Sequence, residues 1–395
     1  MGLKHLAESI HSSFYRWGWL MPAFLPLAQV LGRGVFNTLS GLYFLWALAS
    51  LRSSPRESSA TGLHPGFMIV YGLMLLVWAL SLTQAVDPQK GGYDLLRYVQ
   101  YSLTGLFTLM ALRKAPQQLP RLMQALAWGA LLVMVVLTLQ LPYYLTAVEF
   151  VPTEQLREDN LPWLLPFLLL GLVGRAHGRW LAAAAILTFT VYVVLSQGRA
   201  ALLSLLVALG VFGMLGFRLR MRVVLTTGLA VLAMGMLFGQ HFFRGVSSLG
   251  FDFATLDRFT SGRASIWWQA LNAPPDNPWL GVGIGNVVTH TEVLRIGDAL
   301  TVKHLHNFLF DAWFETGVLG LSAFLALIGT VLVHAIRLWP QLDAGHRRIA
   351  AAALAGVSAL LAAGLFSFSY TSRQFALYLY LLFAVLLALP AAQRR

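Results

Sequence analysis

Two histidines, His304 and His306, stand two residues apart at the end of a long polar stretch and directly before an apolar run. An imidazole at a membrane–water boundary exchanges protons near neutral pH, which few unperturbed side chains do. Asn307 follows at once, and Asp311 and Glu315 follow Asn307 at i+4 and i+8, which puts these three on one helix face. His306 precedes Asp311 by five residues, about 140° around a helix, so a carboxylate that orients this imidazole, if there is one, must come from elsewhere in the chain. Within a helix, His304 and His306 would point about 200° apart, so the pair is not expected to serve one site as equals. The plain alternative is an interfacial histidine that anchors a helix end.

Two arginines are placed unusually. Arg199 lies in LSQGRAALLSLL, at the start of an apolar run and beside Gly198. A helix N-terminus presents free N–H groups and the positive end of a dipole, so Arg199 with such a terminus would form an anion site; the alternative is an arginine snorkelling to the interface. Arg263 lies in DRFTSGRASIWWQAL, where Thr260 or Ser261 is suited to cap a following helix. That leaves Arg263 in the first turn, where its charge opposes the helix dipole, although a solvated arginine would also fit there. The run PWLGVGIGN, residues 278–286, contains Gly281, Gly283 and Gly285. It lacks the Lys-Ser/Thr of a phosphate-binding loop and reads as a turn packed closely on a neighbour. Without cysteine or an H-x-x-x-H spacing, no metal site is read from the sequence.

The elements that must position these residues are membrane helices. Of the 395 residues 57% are hydrophobic and 11% charged, with mean hydropathy +0.68; soluble domains carry about 25% charged residues. Apolar runs fall near 18–32, 34–51, 65–84, 95–112, 122–145, 161–174, 180–197, 200–217, 223–240, 306–337, 349–366 and 375–390. Each span needs about 20 residues, and lipid leaves helices as the suitable form for such runs. An all-α polytopic membrane protein of about 12 transmembrane helices follows: nine within 1–240, a large outer segment at 241–305 with short helices, and three within 306–395. The first run is expected to be a retained span and not a cleaved signal.

Alternating the spans from a cytoplasmic N-terminus puts 17 basic residues and 3 acids on the cytoplasmic side, and 11 basic residues and 13 acids on the other. This positive-inside asymmetry sets both termini in the cytoplasm and accounts for the net charge of +12 without a nucleic-acid partner. The segment 241–305 is nearly neutral, and Trp267, Trp268 and Trp279 suggest short helices lying against the membrane.

Taken together, S-x-G-R at a span end, S-G-R before W-x-x-A-L and LGVGIGN, and H-N before a span resemble the O-antigen ligase and polymerase superfamily. The ligase branch has the pattern H-[N/S/Q], nine residues, G-x-x-[G/T/Y]; here His306-Asn307 is followed by nine residues and then Gly317, Val318, Leu319 and Gly320. The resemblance covers residues 180–340 by motif and the rest by topology. It implies a GT-C-like glycosyltransferase of the bacterial inner membrane, independent of metal and of any cofactor, with its site on the periplasmic face. The donor would be an undecaprenyl-pyrophosphate-linked glycan and the acceptor lipid A-core, the transfer inverting. The catalytic residues carried over are Arg199, Arg263 and His306, with Arg199, Arg263, Lys303, His304 and Asn307 expected at the substrate. The nearest alternative is an O-antigen polymerase or related lipid-linked oligosaccharide transferase; a transporter or flippase is disfavoured because no half repeat is visible.

Overall fold

The computed structural model describes residues 17–53, 65–145, 161–172, 178–195, 198–217, 252–287, 295–296, 300–301 and 304–393. The helices are α1 (Leu25–Leu31), α2 (Arg33–Ser53), α3 (Pro65–Ser81), α4 (Pro88–Lys114), α5 (Leu119–Leu145), α6 (Leu165–Leu172), α7 (Gly178–Leu195), α8 (Arg199–Gly216), α9 (Phe253–Phe259), α10 (Arg263–Asn272), α11 (Phe308–Leu338), α12 (Ala344–Gly364) and α13 (Arg373–Gln393). Two short antiparallel strands, β1 (Arg295–Ile296) and β2 (Leu300–Thr301), pair Arg295 with Thr301 and Ile296 with Leu300. The sequence gives no expectation of this ribbon.

Among the described residues, seven helical stretches are long and apolar enough to cross a membrane, and the chain is a multi-pass membrane protein. They correspond to the runs beginning near 34, 65, 122, 200, 306, 349 and 375. The run at 18–32 is interrupted at Pro22 and Pro26, giving a 3-10 turn over Met21–Ala23 and then α1, which ends at Gly32 with φ 136°. The run at 161–174 forms a 3-10 turn and the eight-residue α6. The run at 95–112 lies in the 27-residue α4, whose first turns carry Lys90, Asp94 and Arg97. The run at 223–240 lies outside the described residues.

The bundle is organised around α13, in which every residue from Phe375 to Leu389 is buried. A helix that is apolar all round belongs in an interior. Neighbours approach it closely where side chains are small: a Cβ on Gly105 of α4 would lie 2.6 Å from the Tyr380 carbonyl oxygen. On the other side α8 packs along the alanine-rich α12, where Ser204 donates to the carbonyl of Ala359 at 2.7 Å. Small residues at membrane helix interfaces allow this contact.

The apolar run at 306–337 forms a broken helix. At Gly317 the backbone leaves the helical region, with φ 66° and ψ −172°. The glycine turn inserts there. Val282 and Gly283 donate to the carbonyls of Phe314 and Glu315, each at 2.9 Å, while Val318 and Leu319 donate to the carbonyls of Pro278 and Trp279 at 2.9 and 3.3 Å. The groups freed by the break are thus satisfied by the turn, as buried backbone requires. Gly281, Gly283 and Gly285 all have positive φ, and a Cβ on Gly281 would sit 2.5 Å from the Phe314 oxygen. Close packing on a neighbour, the reading of this turn from sequence, is what the structure has.

Candidate active site

The first half of α11 carries the candidate site. Asn307 caps the helix: its Oδ1 accepts from the amides of Leu309 and Phe310 at 2.9 and 3.2 Å. Asparagine is a preferred residue at this position. The cap places His306 outside the helix, with φ 54°. A left-handed conformation at a residue other than glycine costs on the order of 1–3 kcal/mol and persists where surrounding contacts over-determine it. Here they do. The Leu305 amide donates to Asp311 Oδ1 at 2.7 Å, the Leu305 carbonyl accepts from Trp267 Nε1 at 2.9 Å, and the His306 amide donates to His304 Nδ1 at 3.1 Å. The two imidazoles lie against each other on the same side, tilted by 46°, with centroids 4.1 Å apart. The expectation that they point to opposite sides is therefore corrected: it presumed a helix through both, and the helix begins only at Phe308.

Asp311 and Glu315 do share a buried face of α11, at 0% and 5% exposure. Asp311 Oδ2 stands 3.8 Å from His304 Nδ1. Glu315 Oε2 accepts from the Tyr370 hydroxyl at 2.7 Å. Tyr370 lies between α12 and α13. Burial, and then the Glu315 carboxylate beside it, raise its phenol well above the ordinary range, so it keeps its proton and donates a hydrogen bond to that carboxylate. Spacing puts Asp311 and Glu315 on the Asn307 face without giving either a role, although an acid within an apolar run is itself a signal of function. Tyr370 and Trp267 carry no comparable signal.

Arg263 is the first residue of α10, as expected. Thr260 Oγ1 accepts from the Ala264 amide at 2.9 Å and Asp257 Oδ1 from the Ser265 amide at 2.7 Å, while Gly262 turns the chain with φ 83°. Arg263 folds back so that Nη1 donates to the Thr260 carbonyl at 3.0 Å. One turn further along the same face, Trp267 holds the Leu305 carbonyl and stacks on Phe310, with centroids 5.8 Å apart. α10 is thereby fastened to the loop that bears His306. Trp267 faces this contact, whereas Trp268 and Trp279 are exposed.

Arg199 is the first residue of α8, after Gly198. α12 connects it to the other candidates: α8 runs along α12, and at the end of α12 a Cβ on Gly364 would lie 2.9 Å from the ring of Phe308. Arg199 and His306 therefore belong to the same end of the bundle, where α8 and α11 begin and α12 ends. Lys303 lies outside the described residues. Asn307, expected at the substrate, uses its side-chain oxygen in the cap. Among the described residues, no three His, Asp or Glu side chains gather as a metal-binding set.

Residues 183–325, from within α7 to beyond the Gly317 break in α11, match the family model described as Wzy_C, O-antigen ligase. The chain carries an O-antigen ligase family domain. No curated protein matches the chain. The O-antigen ligase family domain contains Arg199, Arg263 and His306, and also Asp311, Glu315 and the glycine turn. Enzymes of this family are sugar-polymer transferases that act on lipid-linked glycans.

Proposed function

We propose that the chain is an O-antigen ligase of the bacterial inner membrane, transferring O-antigen from undecaprenyl pyrophosphate to a sugar hydroxyl of lipid A-core. Both termini are cytoplasmic in this reading, and the site opens to the periplasm. The observation that carries it is the over-determined left-handed conformation of His306, beside the Arg263 helix and inside the family domain.

The chemistry follows from the residues. The acceptor hydroxyl is a weak nucleophile until its proton is taken, and neutral His306 takes that proton as general base. The hydroxyl oxygen forms a bond to the anomeric carbon as the bond from that carbon to the pyrophosphate oxygen breaks. The leaving pyrophosphate carries away the electron pair, and the growing negative charge is met by the guanidinium groups of Arg263 and Arg199. Attack opposite the leaving group inverts the anomeric centre. No metal or cofactor has a step in this scheme.

A deletion strain tests the reading. Ligase activity predicts complete loss of O-antigen attachment with accumulation of lipid-linked polymer. Core capped with single repeat units would instead identify a polymerase and overturn the proposal.

A further inference from the structure

The backbone from Leu305 to Asn307 is tied at four of its polar groups: the Leu305 amide and carbonyl, the His306 amide and the Asn307 carbonyl. Leu305 is fixed through its amide by Asp311 and through its carbonyl by Trp267. The Asn307 carbonyl accepts from the Asp311 amide at 2.8 Å, and the Asn307 side chain caps α11. Between them stands His306 with its amide on His304 Nδ1. Without these acceptors, nothing in residue type would hold a histidine at φ 54°.

We propose that His304 and Asp311 are positioning residues that hold the His306 imidazole in place by accepting the amide protons of residues 306 and 305. This rests on His306 being the general base. His304 therefore acts through its Nδ1 lone pair, with the ring proton on Nε2. A proton on Nδ1 would set two N–H donors against each other. Asp311 acts through Oδ1, which accepts the Leu305 amide at 2.7 Å; its Oδ2 lies 3.8 Å from His304 Nδ1, beyond hydrogen-bond distance, so its support reaches the loop through the Leu305 amide. The sequence assigns neither role. His304 is there a candidate substrate contact, and Asp311 is only a residue on the Asn307 face.

The inference predicts which atoms matter. The side-chain oxygen of asparagine sits where histidine has Nδ1, so His304→Asn keeps an acceptor in the required place; glutamine puts its polar end where Nε2 was, so His304→Gln does not. Asp311→Asn keeps Oδ1 for the Leu305 amide, and Asp311→Ala removes it. The test measures kcat and donor KM for purified His304→Gln, His304→Asn, Asp311→Ala and Asp311→Asn, with protein level and thermal midpoint for each. His304→Gln and Asp311→Ala are expected to lose kcat by roughly 10²-fold, the scale of a misplaced reacting group, with donor KM nearly unchanged. The asparagine variants should recover most of that loss. Wild-type kcat in His304→Gln would overturn the role of His304, as would a raised KM at unchanged kcat, which marks a substrate contact. Equal losses in Asp311→Asn and Asp311→Ala would overturn the acceptor role of Asp311 and assign its charge instead. Should Asp311→Ala fail to fold, the His304 pair decides the matter. His306→Ala run alongside separates the two levels: full transfer there defeats the base reading itself, whereas a dead His306→Ala with normal His304→Gln defeats only the positioning.

Discussion

Arg263 and Arg199 enter the account by different routes. Arg263 sits one turn from Trp267, which holds the loop of His306. Arg199 reaches the same bundle end through α12. If both meet the pyrophosphate, Arg199→Ala and Arg263→Ala should each lower transfer by about 10²-fold, the scale for one lost charge-stabilising donor. Lysine should rescue in part, since it supplies charge without the planar fork. Ligation assays at matched protein level check this, and full activity in both alanine variants would return the arginines to interface anchoring. Transfer should also survive excess EDTA; loss restored by Mg²⁺ would direct attention to Asp311 and Glu315. The identity of His306 is legible from its spacing to Gly317, but its conformation is not. That depends on Asn307 taking the cap, and on Asp311 reaching back six residues to the Leu305 amide.

The broken α11 ties the site to the rest of the fold. Its kink joins the glycine turn, α3 through Trp78 Nε1 and the Gly320 carbonyl, and the α12–α13 connection through Tyr370 and Glu315. Gly317 has φ 66°, and a Cβ there would lie 2.2 Å from the Trp279 backbone. Gly317→Ala is therefore expected to destabilise the protein by roughly 3 kcal/mol or more, combining backbone strain with overpacking. A thermal midpoint in detergent measures this, and an unchanged midpoint would contradict the kink. The small residues at 317 and 320 signal close packing in the sequence. The break itself is hidden because the apolar run continues on both sides of it. Tyr370 is equally hidden, since only the fold brings residue 370 against residue 315.

Across the whole molecule, the multi-pass helical architecture is legible from composition alone, because lipid admits little else. The exact spans are less so. Pro22, Pro26 and Gly32 divide one apolar run into short helices, and the 27-residue α4 begins at Pro88, under an Asp87 cap, seven residues before its apolar run. Orientation rests on the 17 basic residues and 3 acids of one side against 11 and 13 on the other. Reporter fusions at Arg220 and Arg348 should accordingly read cytoplasmic and a fusion at Asp276 periplasmic. A periplasmic signal at Arg220 would reverse the assignment. One reconstituted reaction bears directly on His306 as the base of a ligase. Purified wild-type protein and His306→Ala are given undecaprenyl-pyrophosphate-linked O-antigen and lipid A-core, with ligated product and bound donor measured separately. The wild type should form ligated lipopolysaccharide, and His306→Ala should lose transfer by roughly 10²–10⁴-fold while still binding the donor. Near-normal ligation by His306→Ala, or a loss confined to donor binding, would contradict that role.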